Sequence, residues 1–203
     1  MMKLPKYQLT SDEKLLSYEF ISEDIKGRIL KRIQFTLINQ SGIFNLAFGD
    51  INNVTGEFDD LTISNNGDSE KVLSTVVSAI YAFSYKNPNA WVFASGSTPS
   101  RTRLYQINIS KFLKEIKEDF DIYGMEQEDW VEFEIGKNYT SFLAKKKLNT
   151  NFKNMKTIAE LNKNKIPIII IDKRLNKLSE TVLFPAKVEN AINIIKKYGV
   201  PKV

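Results

Sequence analysis

"ISNNGDSEKVLSTVVSAIYAFSYKNPNAWVFASGSTPSRTRLY", Ile63–Tyr105, reads as a strand, a polar turn, a long helix, a short buried strand, a second polar turn and another helix. The first helix is expected over about Ser69–Tyr85. Val72, Val76, Ile80 and Phe83 recur at spacings of four, four and three, with Leu73, Val77 and Ala79 widening the apolar stripe. Asp68 or Ser69 is placed to cap its start, and the Asn-Pro-Asn run at residues 87–89 stops it. "WVFA" from Trp91 is a buried strand. Thr98 followed by Pro99 marks the next helix start, because a threonine oxygen accepts from first-turn N–H groups and proline lacks the N–H that this turn leaves unpaired. Two strand-to-helix junctions in one unit are places where anions bind, since the first N–H groups of a helix have no internal partners and carry partial positive charge.

Upstream lies a run of strands: "YQL", "LLSYEFIS", "RILKRIQFTLI", "IFNLAFGDI" and, after a loop dense in turn formers, "LTIS". Ile33, Phe35 and Leu37 share one face of the third strand, and Asn39–Gly42 supply a hairpin turn after it. Downstream, "YTSFLA" is strand-like and the composition changes near Lys145. A basic helix "NFKNMKTIAELNKNK", a strand "IPIIII", a turn "DKRLNK", a return strand "SETVLF" and a final helix "AKVENAINIIKKYG" are expected there. This gives an α+β chain with a main domain at 1–144 and a small basic α/β unit, a helix-hairpin-helix appendage, at 145–203.

Composition narrows the chemistry. The 203 residues include no cysteine and no histidine, so disulfides, thiolate nucleophiles, Cys/His zinc sites and Ser–His dyads are excluded within this chain. A general base would have to be Asp, Glu, Lys, Tyr, a terminal amine or a water they hold. Glu57, Asp59 and Asp60 are acids in one loop without a partner cluster, and no metal site is expected. No apolar run approaches the roughly 20 residues of a membrane span, and the N-terminus lacks a secretory layout, so no membrane association and a cytoplasmic location are expected.

The net charge of +5 hides a segregation. Glu118–Glu134 holds eight acids and no base; Lys145–Lys177 holds ten bases against Glu160 and Asp172. Two oppositely charged faces that pair with each other are favoured over a nucleic-acid surface at 145–177, because few aromatics interleave those lysines.

"GDSEKVLSTVVSAIYAF", "WVFASGS" and "SRTRLY" together resemble the core of the GCN5-related N-acetyltransferase fold. That resemblance implies a bent, mainly antiparallel sheet with two packed helices, and acetyl-coenzyme A as cofactor. "LLSYEFIS", "NLAFGD", "SNNGDSEKVLSTV" and "GSTPSRTRLY" more closely resemble a family of uncharacterised bacterial proteins, typical of Bacteroidetes, over about residues 7–115. By the acetyltransferase likeness, Asn66, Gly67, Asp68 and Ser69 fall where the pyrophosphate loop would be, and Tyr105 where a tyrosine protonates the departing thiolate. Here the loop's basic residue is missing and Asp68 and Glu70 stand in its place, and like charge at that spot costs several kcal/mol unless paired.

The second junction is the better anion site. Ser97, Thr98 and Ser100 offer hydroxyls, and Arg101 and Arg103 offer guanidinium forks, unless those arginines instead pair with the acids of "GDSEK". The resulting expectation is a non-catalytic binding or interaction protein without a cofactor, with a protein partner or a second copy of itself. Its setting would be a bacterial two-component module such as a defence or toxin–antitoxin pair. The alternative is an acyl-coenzyme A-dependent N-acyltransferase with a divergent loop.

Overall fold

The computed structural model describes residues 5–39, 41–52, 58–59, 67–148 and 169–201. In chain order the elements are β1 (Leu9–Ser11), β2 (Ser17–Asp24), β3 (Gly27–Asn39), β4 (Ile43–Ile51), β5 (Phe58–Asp59), α1 (Ser69–Lys86) and β6 (Trp91–Ala94). There follow α2 (Pro99–Lys111), α3 (Leu113–Asp119), β7 (Phe120–Glu126), β8 (Asp129–Glu132), β9 (Phe142–Lys146), β10 (Ile169–Ile171), a short α4 (Asn176–Ser179) and α5 (Pro185–Tyr198). They form two compact units that do not follow the chain in order. The first takes the described residues of Met1–Gln34, Phe48–Asn87 and Leu148–Leu183; the second takes those of Phe35–Ala47, Pro88–Lys147 and Phe184–Val203. The chain crosses between the units several times, at Gln34–Phe35, Ala47–Phe48, Asn87–Pro88, Lys147–Leu148 and Leu183–Phe184.

In the first unit, β2 and β3 make a long antiparallel hairpin from Ser17↔Gln34 to Asp24↔Gly27, with Gly27 at φ +85 closing the tight turn. β1 is antiparallel to β2 and parallel to β10, in register Leu9↔Ile169. Asp12 knits the turn between β1 and β2: its Oδ1 accepts from the N–H groups of Leu16 (2.7 Å) and Ser17 (2.8 Å), and its Oδ2 from that of Lys14 (3.1 Å). α1 buries Val72, Val76, Ala79 and Phe83, as its periodicity predicts, but Ile80 is only half-buried. Small residues, Ser74, Thr75, Ser78 and Ala82, complete the buried face. Thr75 and Ser78 satisfy their hydroxyls on the carbonyls four residues back.

The return strand expected at "SETVLF" is corrected. Ser179 ends α4 and Glu180–Phe184 are turn and loop. The reason is Gln34, 2% exposed on β3. Its Nε2 donates to the carbonyls of Leu178 (2.8 Å) and Thr181 (2.7 Å), while its Oε1 accepts from the N–H of Leu183 (3.0 Å). One side-chain amide thus takes backbone groups that a strand partner would have used, and β10, Ile169–Ile171, pairs with β1 instead. The expected strand "LTIS" and the basic helix at residues 151–165 lie outside the described residues.

In the second unit β4 runs parallel to β6, from Ile43↔Trp91 to Leu46↔Ala94, and β6, β9, β7 and β8 follow as antiparallel neighbours. Each unit therefore combines one parallel pair with antiparallel ones, and the chain is α+β with mixed sheet. α5 lays Ala191 and Ile195 into a core of Ile43, Trp91, Phe93, Met125, Trp130 and Leu143. Phe93 and Trp130 meet edge to face at 6.3 Å, and the Trp130 indole N–H donates to the Gly199 carbonyl at 3.0 Å. Gly124 of β7 has no room for a side chain: a Cβ there would sit 2.2 Å from the ring of Tyr139. Tyr139 in turn donates its backbone N–H to Gln106 of α2 (3.3 Å), whose Nε2 donates to the Lys137 carbonyl.

Candidate functional site

At the first junction Gly67 has φ +91 and precedes Asp68, which occupies the N-cap position of α1. The Asp68 side chain does not cap the helix. Its Oδ2 accepts from the Tyr7 hydroxyl (2.7 Å) and the Ser22 hydroxyl (2.6 Å), and the Tyr7 oxygen accepts from the Glu23 N–H (3.1 Å). Tyr7 and Ser22 are both buried, and the carboxylate draws charge-assisted bonds from them. Burial, and then the bond to Asp68, push the Tyr7 phenol above its ordinary range.

Around this bond the aromatic rings form a ladder. Tyr7 stacks on Phe20 at 5.7 Å and Phe20 on Phe48 at 6.2 Å; Lys71 Nζ lies 3.8 Å from the Tyr7 centroid and Lys31 Nζ 5.7 Å from that of Phe48. Lys31 also pairs with Asp50. A Cβ at Gly67 would sit 3.3 Å from the Asp24 carboxylate, so another acid lies against this turn. Of the loop positions singled out in the sequence, Ser69 and Gly67 are exposed, Asp68 is turned to Tyr7 and Ser22, and Asn66 lies outside the described residues. Tyr7 and Ser22 are 61 and 46 residues from Asp68, and nothing in the local sequence marks them as its partners.

At the second junction Thr98 caps α2 as its sequence predicts, its Oγ1 accepting from the Arg101 N–H at 3.3 Å. The Thr102 hydroxyl donates to the Thr98 carbonyl (3.3 Å) and accepts from the Gly96 N–H (3.2 Å). A Cβ on Gly96 would lie 2.3 Å from the Thr102 nitrogen, so only glycine lets strand exit and helix start approach so closely. Pro99 has no N–H, and the N–H groups of Arg101 and Thr102 both go to Thr98. Most of the donors that an anion would use are therefore spent on the turn itself. Ser97 and Arg101 are half-buried, while Ser100 and Arg103 are exposed. Tyr105 sits half-buried on α2, between exposed Leu104 and the bonded Gln106.

The acidic belt of the second unit is met by lysines. Lys117 pairs with Glu132 (2.6 Å), Lys137 with Glu134 (3.2 Å) and Glu126 (3.5 Å), Lys147 with Asp121 (3.6 Å) and Lys197 with Glu128 (3.0 Å). The hydrogen bonds from Lys117 and Lys197 hold the Glu132 and Glu128 carboxyls below the usual range. In the basic stretch Lys145 lies over Trp91 and Lys146 over Phe120, Lys173 pairs with Glu13, and Arg174 forks onto Asp172. Lys153, Lys156, Lys163 and Lys165 lie outside the described residues. Among the described residues no three acids gather to hold a metal ion, and no helix is long and apolar enough to cross a membrane.

The chain belongs to a family of unknown function, DUF6934, whose model matches residues 3–147 and so takes in both junctions. No curated protein and no solved structure matches the chain.

Proposed function

We propose that this member of the family is a non-catalytic binding or interaction protein on an acetyltransferase-like scaffold. In this reading its ligand is a partner protein, within a cytoplasmic two-component module of the defence or toxin–antitoxin kind. The observation that carries the reading is the commitment of Asp68 to Tyr7 and Ser22. A negative charge fixed by two buried donors at the first turn of α1, with Asp24 against Gly67, repels the pyrophosphate that an acyl-coenzyme A enzyme must hold there. The spent donors at the start of α2 and the internally paired acidic belt support it further.

The order β4, α1, β6, α2 favours an N-acyltransferase as the second reading. β4 and β6 pair in parallel only as far as Leu46↔Ala94, after which β4 continues to Ile51 and pairs with β5. An enzyme of that class would need a splayed-strand cleft beside the loop at residues 65–71, with Tyr105 as the acid. Thermal unfolding in millimolar acetyl-coenzyme A separates the two. No shift is expected. A ligand at a hundred times its dissociation constant adds about 2.7 kcal/mol, and a melting rise of that order would establish the enzyme reading instead.

A further inference from the structure

On the interaction-protein reading just given, we infer that the exposed face of α2 is the docking surface for an acidic, apolar-anchored segment of a partner protein. α2 is thirteen residues long, yet Thr102 is its one buried residue, whereas α1 buries nine of eighteen. Ser100, Arg103, Leu104, Ile107 and Lys111 are all exposed and recur at helical spacing, so they form one stripe along roughly 16 Å of the helix. Leu104 is 41% and Ile107 54% exposed. A β-branched residue costs helix propensity, and Ile107 recovers little of that by burial because more than half of it stays exposed.

Charge selects the partner. α2 has no acidic residue, and Arg103 has no ion-pair partner among the described residues, while Lys117, Lys137, Lys147 and Lys197 of the same unit each have one. Because those lysines already occupy the unit's acidic belt, a second copy of this chain has few unengaged carboxylates there to offer. The exposed side chains between the cations, Leu104 and Ile107, are aliphatic and give no stacking platform for bases, which disfavours a nucleic acid. What matches is a segment with carboxylates flanking apolar side chains, the mirror of Arg103–Leu104–Ile107–Lys111. The platform is also pre-ordered: the Thr98 cap, the Gly96–Thr102 contact and the Gln106 bonds fix α2 before anything binds, which lowers the ordering cost of association.

The test is selection of peptides from a random displayed library on the whole protein, followed by binding of the winners to Arg103→Glu and Ile107→Ser. Both substitutions lie at exposed positions, and unchanged circular dichroism and melting confirm that each variant is folded. Enriched peptides with net negative charge and apolar residues at helical spacing are expected. Each variant should weaken them about tenfold or more, and added salt should weaken them further. Peptides that bind both variants as tightly as the parent would overturn this surface while leaving the interaction reading standing, and so would a failure to enrich any sequence. Binding of a single-stranded oligonucleotide that Arg103→Glu abolishes, or self-association that Ile107→Ser abolishes, would replace the acidic partner by another occupant. A melting shift with acetyl-coenzyme A instead removes the reading on which the inference rests.

Discussion

α1 and α2 each leave a short polar turn, and each has a residue before it with a side chain suited to capping, but the two starts are closed in opposite ways. Thr98 keeps its oxygen for the Arg101 N–H of its own helix. Asp68 gives its carboxylate to Tyr7 and Ser22, and its helix goes without a side-chain cap. A buried hydroxyl left without an acceptor costs about 1–3 kcal/mol, more than the ~1 kcal/mol that a cap typically contributes, so the tertiary donors win the carboxylate. What competes for a capping oxygen thus decides what a helix start can bind. The start of α1 is closed by charge and the start of α2 by backbone approach.

The largest effect should come from the backbone-closed start. Gly96→Ala puts a Cβ 2.3 Å from the Thr102 nitrogen, an atom that cannot swing aside as a side-chain tip would. A loss of about 3 kcal/mol is expected in urea unfolding, near the upper end of overpacking costs. A neutral result would mean that α2 can shift as a body, and the contrast between its start and that of α1 would be broken.

A smaller effect separates the two starts by pH. The Tyr7 phenol is raised by burial and by the bond to Asp68, and the Tyr18 phenol is pushed well up by complete burial and by the Asp12 charge. A group whose pKa is higher folded than unfolded gives stability that is fully present below its unfolded value, about 10 for tyrosine, and is lost as pH rises through the folded value. Stability should therefore hold through neutral pH and decline above about pH 10. Tyr7→Phe, which has no phenol to titrate, should show a shallower alkaline decline than the parent. Equal slopes in equilibrium unfolding would remove Tyr7 from the account.

The parts of this fold that could be read from sequence are those with local causes. The cap and proline at Thr98–Pro99 stand in the structure, and so does the apolar spacing of α1 apart from half-buried Ile80; the alternation in β3 holds at Ile33 and Phe35 but fails at Leu37, which is exposed, and at Gln34, which is buried. The hairpin β7–β8 gave no such signal: its turn at Glu126–Asp129 contains no Gly, Pro or Asn, and Gln127 adopts φ +56 instead. "SETVLF" carries strand formers in Thr181, Val182 and Phe184, and it is Gln34, more than 140 residues earlier, that takes its backbone groups and keeps it from pairing as one. The candidate site divides in the same way. Glu70 and Asp68 were visible as acids in the loop, but the destination of the Asp68 carboxylate depends on a tyrosine and a serine that only folding brings near.

The direct test of that destination is a double-mutant cycle on Tyr7→Phe and Asp68→Asn, read by urea unfolding. If the phenol and the carboxylate share the bond seen here, the two losses should fall short of additivity by about 1.5–3 kcal/mol, the range for a hydrogen bond to a charged group. Additive losses would mean that the Asp68 carboxylate is not held by Tyr7, and would contradict this account of how the start of α1 is closed.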